Sequence, residues 1–267
     1  LGMNDQMTRD RNTHPNKLKV LALILARGGS KSVPRKNIIE VNGKPLIAYT
    51  IQQALTSNLI TRTIVSTDDE EIAQISKNWG AEVPFMRPSE IAQDDSIDIE
   101  AFIHCLVWLK KNENYEPDLI VHLRATGPVR RVEVIDQAID KMARTPDADS
   151  LRTVVMSKQT PYKMWKFDGE YLQPVVVLPD VPEAHSVSRQ SLPVTYWQNG
   201  YVDVIRSTTI SQKNSMVGDR VLGIEIKEPV FDIDYPDDVP RVEEGLRRLE
   251  EGQPFFDEDD TEDRLPV

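Results

Sequence analysis

The chain alternates short β-branched apolar runs with longer segments of helical period, and that order restricts its fold more than any other feature. "KVLALIL" (residues 19–25) is an almost unbroken apolar run, the pattern of a strand covered on both faces. "PLIAYTIQQALTSN" follows, with Ile47, Ile51, Ala54 and Leu55 at helical spacing and Pro45 near its first turn. "RTIVSTDDEEIAQISKNWG" repeats the order: a strand, then a helix expected to open on a Thr67-x-x-Glu70 capping box and to end before Gly80. Ile99, Phe102, Ile103, Leu106 and Leu109 mark a third helix ahead of the strand "DLIVHL". "RRVEVIDQAIDKMART" makes a fourth, ahead of "DSLRTVVMS". Strands joined by helical crossovers predict an α/β fold with a mainly parallel sheet flanked by helices. In such sheets ligands gather beyond the C-terminal ends of the strands, where the loops carrying Arg27, Asp68 and Arg124 fall.

The pattern lapses between residues 158 and 194, a proline-rich stretch with no helical period and one hairpin signal, "FDGEY". It reads as an inserted arm of the kind that packs on another subunit. "TYWQNGYVDVIRS" and "RVLGIEI" read as returning strands. "PDDVPRVEEGLRRLEE" reads as a closing helix with Val239, Val242, Leu246 and Leu249 on one face. The expected organisation is a disordered leader (1–17), an α/β domain of 18–157 plus 195–250, the arm (158–194) and an acidic tail (251–267). The leader has no apolar core of a secretory signal, and Met3 is expected to be the natural start. No segment approaches the roughly 20 apolar residues of a membrane helix. Cys105 is the sole cysteine, which excludes an intrachain disulfide and a cysteine-based zinc cluster and makes the cytoplasm the default compartment. A net charge of −11 disfavours nucleic acid and anionic membrane as partners.

Against that acidic background "LILARGGSKSVPRKN" (residues 23–37) is a local cationic spot that favours a small anionic ligand. It matches neither the P-loop nor the dinucleotide fingerprint. What it shares with them is glycines after a strand, which let backbone N–H groups approach an anion, and cations that neutralise it. Taken alone, a basic turn accounts for it equally well. "FDIDYPDD" carries a second signal: on an extended chain Asp232 and Asp234 project from the same face. Two carboxylates so close suit a hard divalent cation such as Mg²⁺ shared with phosphates, although an acidic strand end explains them too. The histidines show no metal-ligand spacing. Core packing is the first reading of Tyr196, Trp197 and Tyr201, and a wall of a ligand pocket the second.

"ARGGSKSVPRKNI" resembles the nucleotide-binding signature of the N-acylneuraminate cytidylyltransferase family, in which an A-R-x-x-S-K segment precedes a K-N pair. "IVSTDDEEIA", "RPSEIAQDDS", "PYKMW", "SRQSLP", "NGYV" and "FDIDYPDD" resemble further blocks of that family, in order, across about residues 20–249. The resemblance implies a Rossmann-like nucleotidyltransferase with an inserted dimerisation arm, working as a Mg²⁺-dependent homodimer. A sugar-acid hydroxyl would attack the α-phosphate of CTP to give a CMP-sugar and pyrophosphate. It implies phosphate and ribose contacts from Arg27, Gly29, Ser30, Lys31, Lys36 and Asn37, and a nucleotide contact from Arg87. Lys36, Arg27 and Asp234 become the expected catalytic residues, and Asp232 and Asp234 the metal ligands. Lys163 and Arg189 match the sugar-carboxylate positions, Asn199 a sugar contact, and Arg124 falls on the sugar side. There the chain departs from the pattern it resembles: "LRATGPVR" places Arg124 where a glutamine is usual, and residue 203 is aspartate where sialic acid enzymes tend to have tyrosine. Legionaminic, pseudaminic and N-acetylneuraminic acids therefore all stand as candidate sugars. A nucleotidyltransferase for another base or sugar, or a non-catalytic nucleotide-sugar-binding subunit, are the rival readings.

Overall fold

The computed structural model describes residues 18–255; the expected leader and most of the acidic tail lie outside the described residues. The strands are β1 (Val20–Leu25), β2 (Glu40–Val41), β3 (Lys44–Pro45), β4 (Arg62–Ser66), β5 (Leu119–His122), β6 (Ser150–Met156), β7 (Trp165–Asp168), β8 (Tyr171–Pro174), β9 (Tyr196–Arg206) and β10 (Val221–Glu225). The helices are α1 (Leu46–Thr56), α2 (Glu70–Asn78), α3 (Asp98–Glu113), α4 (Val132–Ala143), α5 (Ser207–Lys213) and α6 (Val239–Glu250). Six strands form one sheet in the order β10-β6-β9-β5-β1-β4. All run parallel except β9, which is antiparallel to both β5 and β6. The loops after β1, β4 and β5 therefore leave the same edge.

β1 shows why the sheet is buried on both faces. Val20, Ala22 and Ile24 join the core under α1, α2 and α4, while Leu21 and Leu23 join the core under α3 and α5. Successive strand side chains point to opposite faces, so a continuous apolar run is what a two-sided cover requires. Cys105 is fully buried in the second core, where burial pushes its thiol up to about 12 and leaves it an inert small hydrophobe. A third cluster joins Val33 of the cationic loop, Leu46 and Tyr49 of α1, Phe231 and Ile233, and Val242 and Leu246 of α6. It ties the loop to the "FDIDYPDD" segment, 200 residues further along the chain. No described helix is long and apolar enough to cross a membrane.

Two local expectations are corrected. α2 opens at Glu70, so Thr67 is not its cap; Asp69 caps it, accepting from the Ile72 N–H at 2.9 Å. An aspartate caps as well as a threonine, and the later start leaves residues 67–69 as a turn in which Thr67 Oγ1 accepts from the Asp69 N–H at 3.1 Å. Of the three clustered aromatics, only Tyr201 is core; Tyr196 and Trp197 are exposed, because β9 runs past the sheet's helical cover at its start. α5 was not legible: seven residues reading "STTISQK" carry no apolar stripe. Within residues 158–194, β7 and β8 pair as a small antiparallel hairpin closed by Gly169 at φ 61°.

Candidate active site

The loop after β1 lines a cavity of about 510 Å³ with Arg27, Ser30, Lys31, Lys36 and Asn37; Arg87 closes its other side. The loop's close packing on Asp69 depends on Gly28 rather than Gly29. A Cβ at Gly28 would meet Asp69 Oδ2 at 2.8 Å, while one at Gly29 would meet nothing; neither glycine lines the cavity itself. The Gly28 N–H is donated to Asp68 Oδ1 at 3.0 Å and the Ser30 N–H to the Gly28 carbonyl at 3.1 Å, so both are already paired within the protein. Arg35, at φ 57°, turns away and pairs with Asp69 and Glu71, while Asn37 Nδ2 donates to the Arg27 carbonyl at 2.9 Å and pins the loop's two ends.

The cavity's cations are held by carboxylates. Arg27 meets Asp94 at 2.8 Å, and Lys31 pairs with the same carboxylate. Lys31 first, then Arg27, hold the Asp94 carboxyl below the usual range. Asp94 is exposed and belongs to a loop, so an incoming polyanion can replace it. Arg87 is buried; its Nη2 donates to the Ser66 carbonyl at 2.8 Å and its Nε has no protein partner. Burial lowers its guanidinium pKa, against the raising fields of Asp68 and Asp98. An unpaired donor on a buried, charged side chain in a cavity wall is what a polar ligand satisfies.

Lys36 joins this cavity to a second one. Its ammonium is only 12% exposed and lies 3.2 Å from Asp234 Oδ1. Asp232, Asp234 and Asn199 line a neighbouring cavity of about 380 Å³. Ile233 between the aspartates is fully buried in the third cluster, which fixes the turn that presents both carboxylates. Asp232 Oδ1 is buried without a partner, and Asp234 is largely exposed. Among the described residues no group of three or more potential ligand side chains forms a metal cluster. Two hard oxygen donors, one of them unsatisfied, fit a Mg²⁺ ion that takes its remaining ligands from phosphate and water. Asn199 Oδ1 accepts from the Tyr201 N–H at 3.1 Å and its Nδ2 is buried without a partner.

The other expected sugar contacts are not gathered here. Lys163 is exposed at the end of a short 3₁₀ turn. Arg189 donates to the Ser157 carbonyl at 3.0 Å and lines a separate cavity of about 230 Å³. Arg124 lies against Gly200, beside Asn199, and donates through Nη1 to the Gly200 carbonyl at 3.0 Å and to Asp203 at 2.9 Å. Sequence reasoning missed Asp94, and it also missed Arg152 as the partner of residue 203, which it marked only as a departure on the sugar side. A signal existed for the last two: a lone charge inside an apolar strand ("DSLRTVVMS", "YVDVIRS") requires a buried partner.

Residues 21–257 match the cytidylyltransferase family. A pseudaminic acid cytidylyltransferase of Campylobacter jejuni is 39% identical over 124 residues, covering 46% of this chain and 53% of that protein. The chain thus spans about half the length of that relative. A CMP-N,N'-diacetyllegionaminic acid synthase of Campylobacter jejuni is 31% identical over 228 residues, covering 84% and 94%. In fold the chain is similar to a CMP:2-keto-3-deoxy-manno-octonic acid synthetase complexed with CTP, with a TM-score of 0.63 at 16% identity, covering 86% and 99%.

Proposed function

The chain belongs to the cytidylyltransferase family, and on that premise we propose that it uses CTP to activate a nonulosonic, sialic-acid-like sugar acid, giving the CMP-sugar and pyrophosphate. The observation that carries the reading is Lys36: one nearly buried ammonium stands at the junction between the cation-lined cavity and the Asp232–Asp234 pair. A triphosphate laid in the first cavity would exchange Asp94 for its own oxygens at Arg27 and Lys31. The anomeric oxygen of the sugar acid attacks the α-phosphorus, the bond to the bridging oxygen of pyrophosphate breaks, and the hydroxyl proton leaves to solvent. No protein nucleophile is needed; positioning and fixed positive charge carry the rate. Lys36 meets the charge that grows on the leaving pyrophosphate, and Arg87 offers its unpaired Nε–H to the nucleotide. Mg²⁺ held by Asp232 and Asp234 would supply Lewis-acid neutralisation of the phosphate oxygens.

The chain is further proposed to work as a homodimer through the 158–194 arm. Phe167, Tyr171 and Val177 there, and Trp197 beside it, are 80%, 77%, 73% and 69% exposed, more apolar surface than one inserted segment ordinarily leaves in water. The deciding assay is pyrophosphate release for four NTPs against pseudaminic, legionaminic and N-acetylneuraminic acids and sugar phosphates, with and without EDTA. CTP with a nonulosonic acid is expected to give EDTA-sensitive release. Equal rates with GTP or UTP would refute the base assignment, and no release under any condition would favour a non-catalytic binding subunit.

A further inference from the structure

Behind the second cavity the sheet holds an unusual amount of charge. Asp203 of β9 is fully buried and faces His122 of β5 and Arg152 of β6 in the strand register. One oxygen, Oδ2, receives Arg124 Nη1 at 2.9 Å and Arg152 Nη1 at 2.8 Å, while Oδ1 has no partner. Arg152 also donates to the Met216 carbonyl and keeps an unpaired Nε. Arg130, likewise buried, donates to the carbonyls of Tyr201 and Arg124 and to Gln53, with no carboxylate bonded to it. Asp232 Oδ1 stands near Arg130 Nη2 across Gly127. Burial keeps His122 neutral, with its pKa well below the usual value. Three guanidinium groups therefore face two carboxylates, and the cluster is short of one negative charge. A buried excess of that kind is costly until an anion meets it.

Only Arg124 can meet it. Its side chain is 30% exposed, whereas Arg152 is 10% exposed and Arg130 is buried. Both of its protein bonds use Nη1, so the Nε–Nη2 edge has no partner among the described residues. That edge presents two parallel N–H donors at the spacing of carboxylate oxygens. Gly200 lets the guanidinium lie flat on the backbone: a Cβ there would sit 2.9 Å from Nη1 and 3.1 Å from Cζ. Asn199, next in the chain, lines the cavity that holds Asp232 and Asp234. In a 2-keto sugar acid the carboxylate is borne by the carbon that also carries the attacking hydroxyl. Holding one fixes the other.

We propose that Arg124 takes the carboxylate of the acid acceptor, and that Asp203 and Arg152 are positioning residues that hold it there. The inference rests on the cytidylyltransferase reading and names the acceptor side of the same site. It assigns the carboxylate to Arg124 in place of Lys163 and Arg189.

The test uses the full chain with CTP, Mg²⁺ and pseudaminic acid, or whichever acid of the panel is turned over fastest, alongside its C1 carboxamide. Wild type is expected to prefer the acid strongly. Arg124→Gln is expected to raise KM for the acid on the order of 10- to 100-fold, the size of a lost charge-assisted pair, with KM for CTP unchanged. Its preference for acid over carboxamide should collapse, and Arg124→Lys should restore part of it. Asp203→Asn, checked for folding by thermal melting, should raise KM for the acid and leave that for CTP. Retention of the acid preference in Arg124→Gln overturns the proposal, as does its loss in Lys163→Gln or Arg189→Gln alone. An Asp203→Asn protein with wild-type KM for the acid removes the positioning role. Failure of wild type to turn over any acid would instead sink the functional reading, before any variant is made.

Discussion

On the proposed nucleotide side of the site Arg27 and Lys31 reach Asp94 through solvent-exposed side chains, whereas on the proposed acceptor side Asp203 and Arg152 meet inside the sheet with almost no exposure. Both are arginine–carboxylate contacts of about the same length, 2.8 Å. They differ in what surrounds them. Exposed ions keep most of their hydration, so their pairing is weak and can be exchanged for a ligand's charges. Ions within a sheet have only each other, so their geometry is fixed and breaking it is costly. A mobile polyphosphate is suited by the first arrangement, and discrimination between similar sugar acids by the second.

The largest expected effect breaks the buried side. Asp203→Ala leaves Arg124 and Arg152 without their carboxylate and should cost about 3–5 kcal/mol of stability in denaturant unfolding. Asp94→Asn, its counterpart, should leave the unfolding midpoint where it is; equal losses in the two variants would erase the contrast. Lys36 lies between the two regimes, nearly buried yet paired with an exposed aspartate. Lys36→Ala should lower kcat by about 10²–10³ with little change in melting temperature, as for other fixed donors to developing charge. A variant that lost only stability would place Lys36 on the structural side.

The smallest effect concerns pH and the frame of the nucleotide loop. Arg35 holds the Asp69 carboxyl below its usual range, aided by the Ile72 N–H. A depressed carboxyl contributes stability that is complete above the ordinary carboxylate range and is lost as pH falls through its folded value. Asp69→Ala should therefore cost about 1 kcal/mol at neutral pH, the usual worth of an N-cap, and flatten the acid limb of the stability curve. An unchanged acid limb would show that the Arg35–Asp69 pair does not frame the loop.

The same two sides were unequally legible in the sequence. Six candidate nucleotide residues (Arg27, Ser30, Lys31, Lys36, Asn37 and Arg87) all line one cavity, since five come from one loop and Arg87 is hydrogen-bonded to the end of β4, the strand next to β1. The roles of Gly28 and Gly29 could not be separated in the sequence, because only packing against Asp69 distinguishes them. On the acceptor side Asn199, Asp232 and Asp234 share a cavity, but Lys163 and Arg189 lie elsewhere in the chain. Arg124 was visible only as a departure, and Arg152 and Asp203 stand 51 residues apart, joined by strand register.

What the sequence determined by itself is periodic or contiguous. Alternating strands and helices require a mainly parallel sheet, two-sided burial follows from the apolar run of β1, and the loop after that strand carries the cations that line a cavity. These properties depend on neighbours within a few residues, where chain geometry allows few alternatives. Tertiary structure alone decided which charges meet. β9 enters antiparallel between β5 and β6 and so sets Asp203 beside Arg152, and the third apolar cluster carries Asp234 to Lys36 across 198 residues. Long-range pairing is set by the packing of whole elements, and no local pattern encodes which buried cation a distant carboxylate will find.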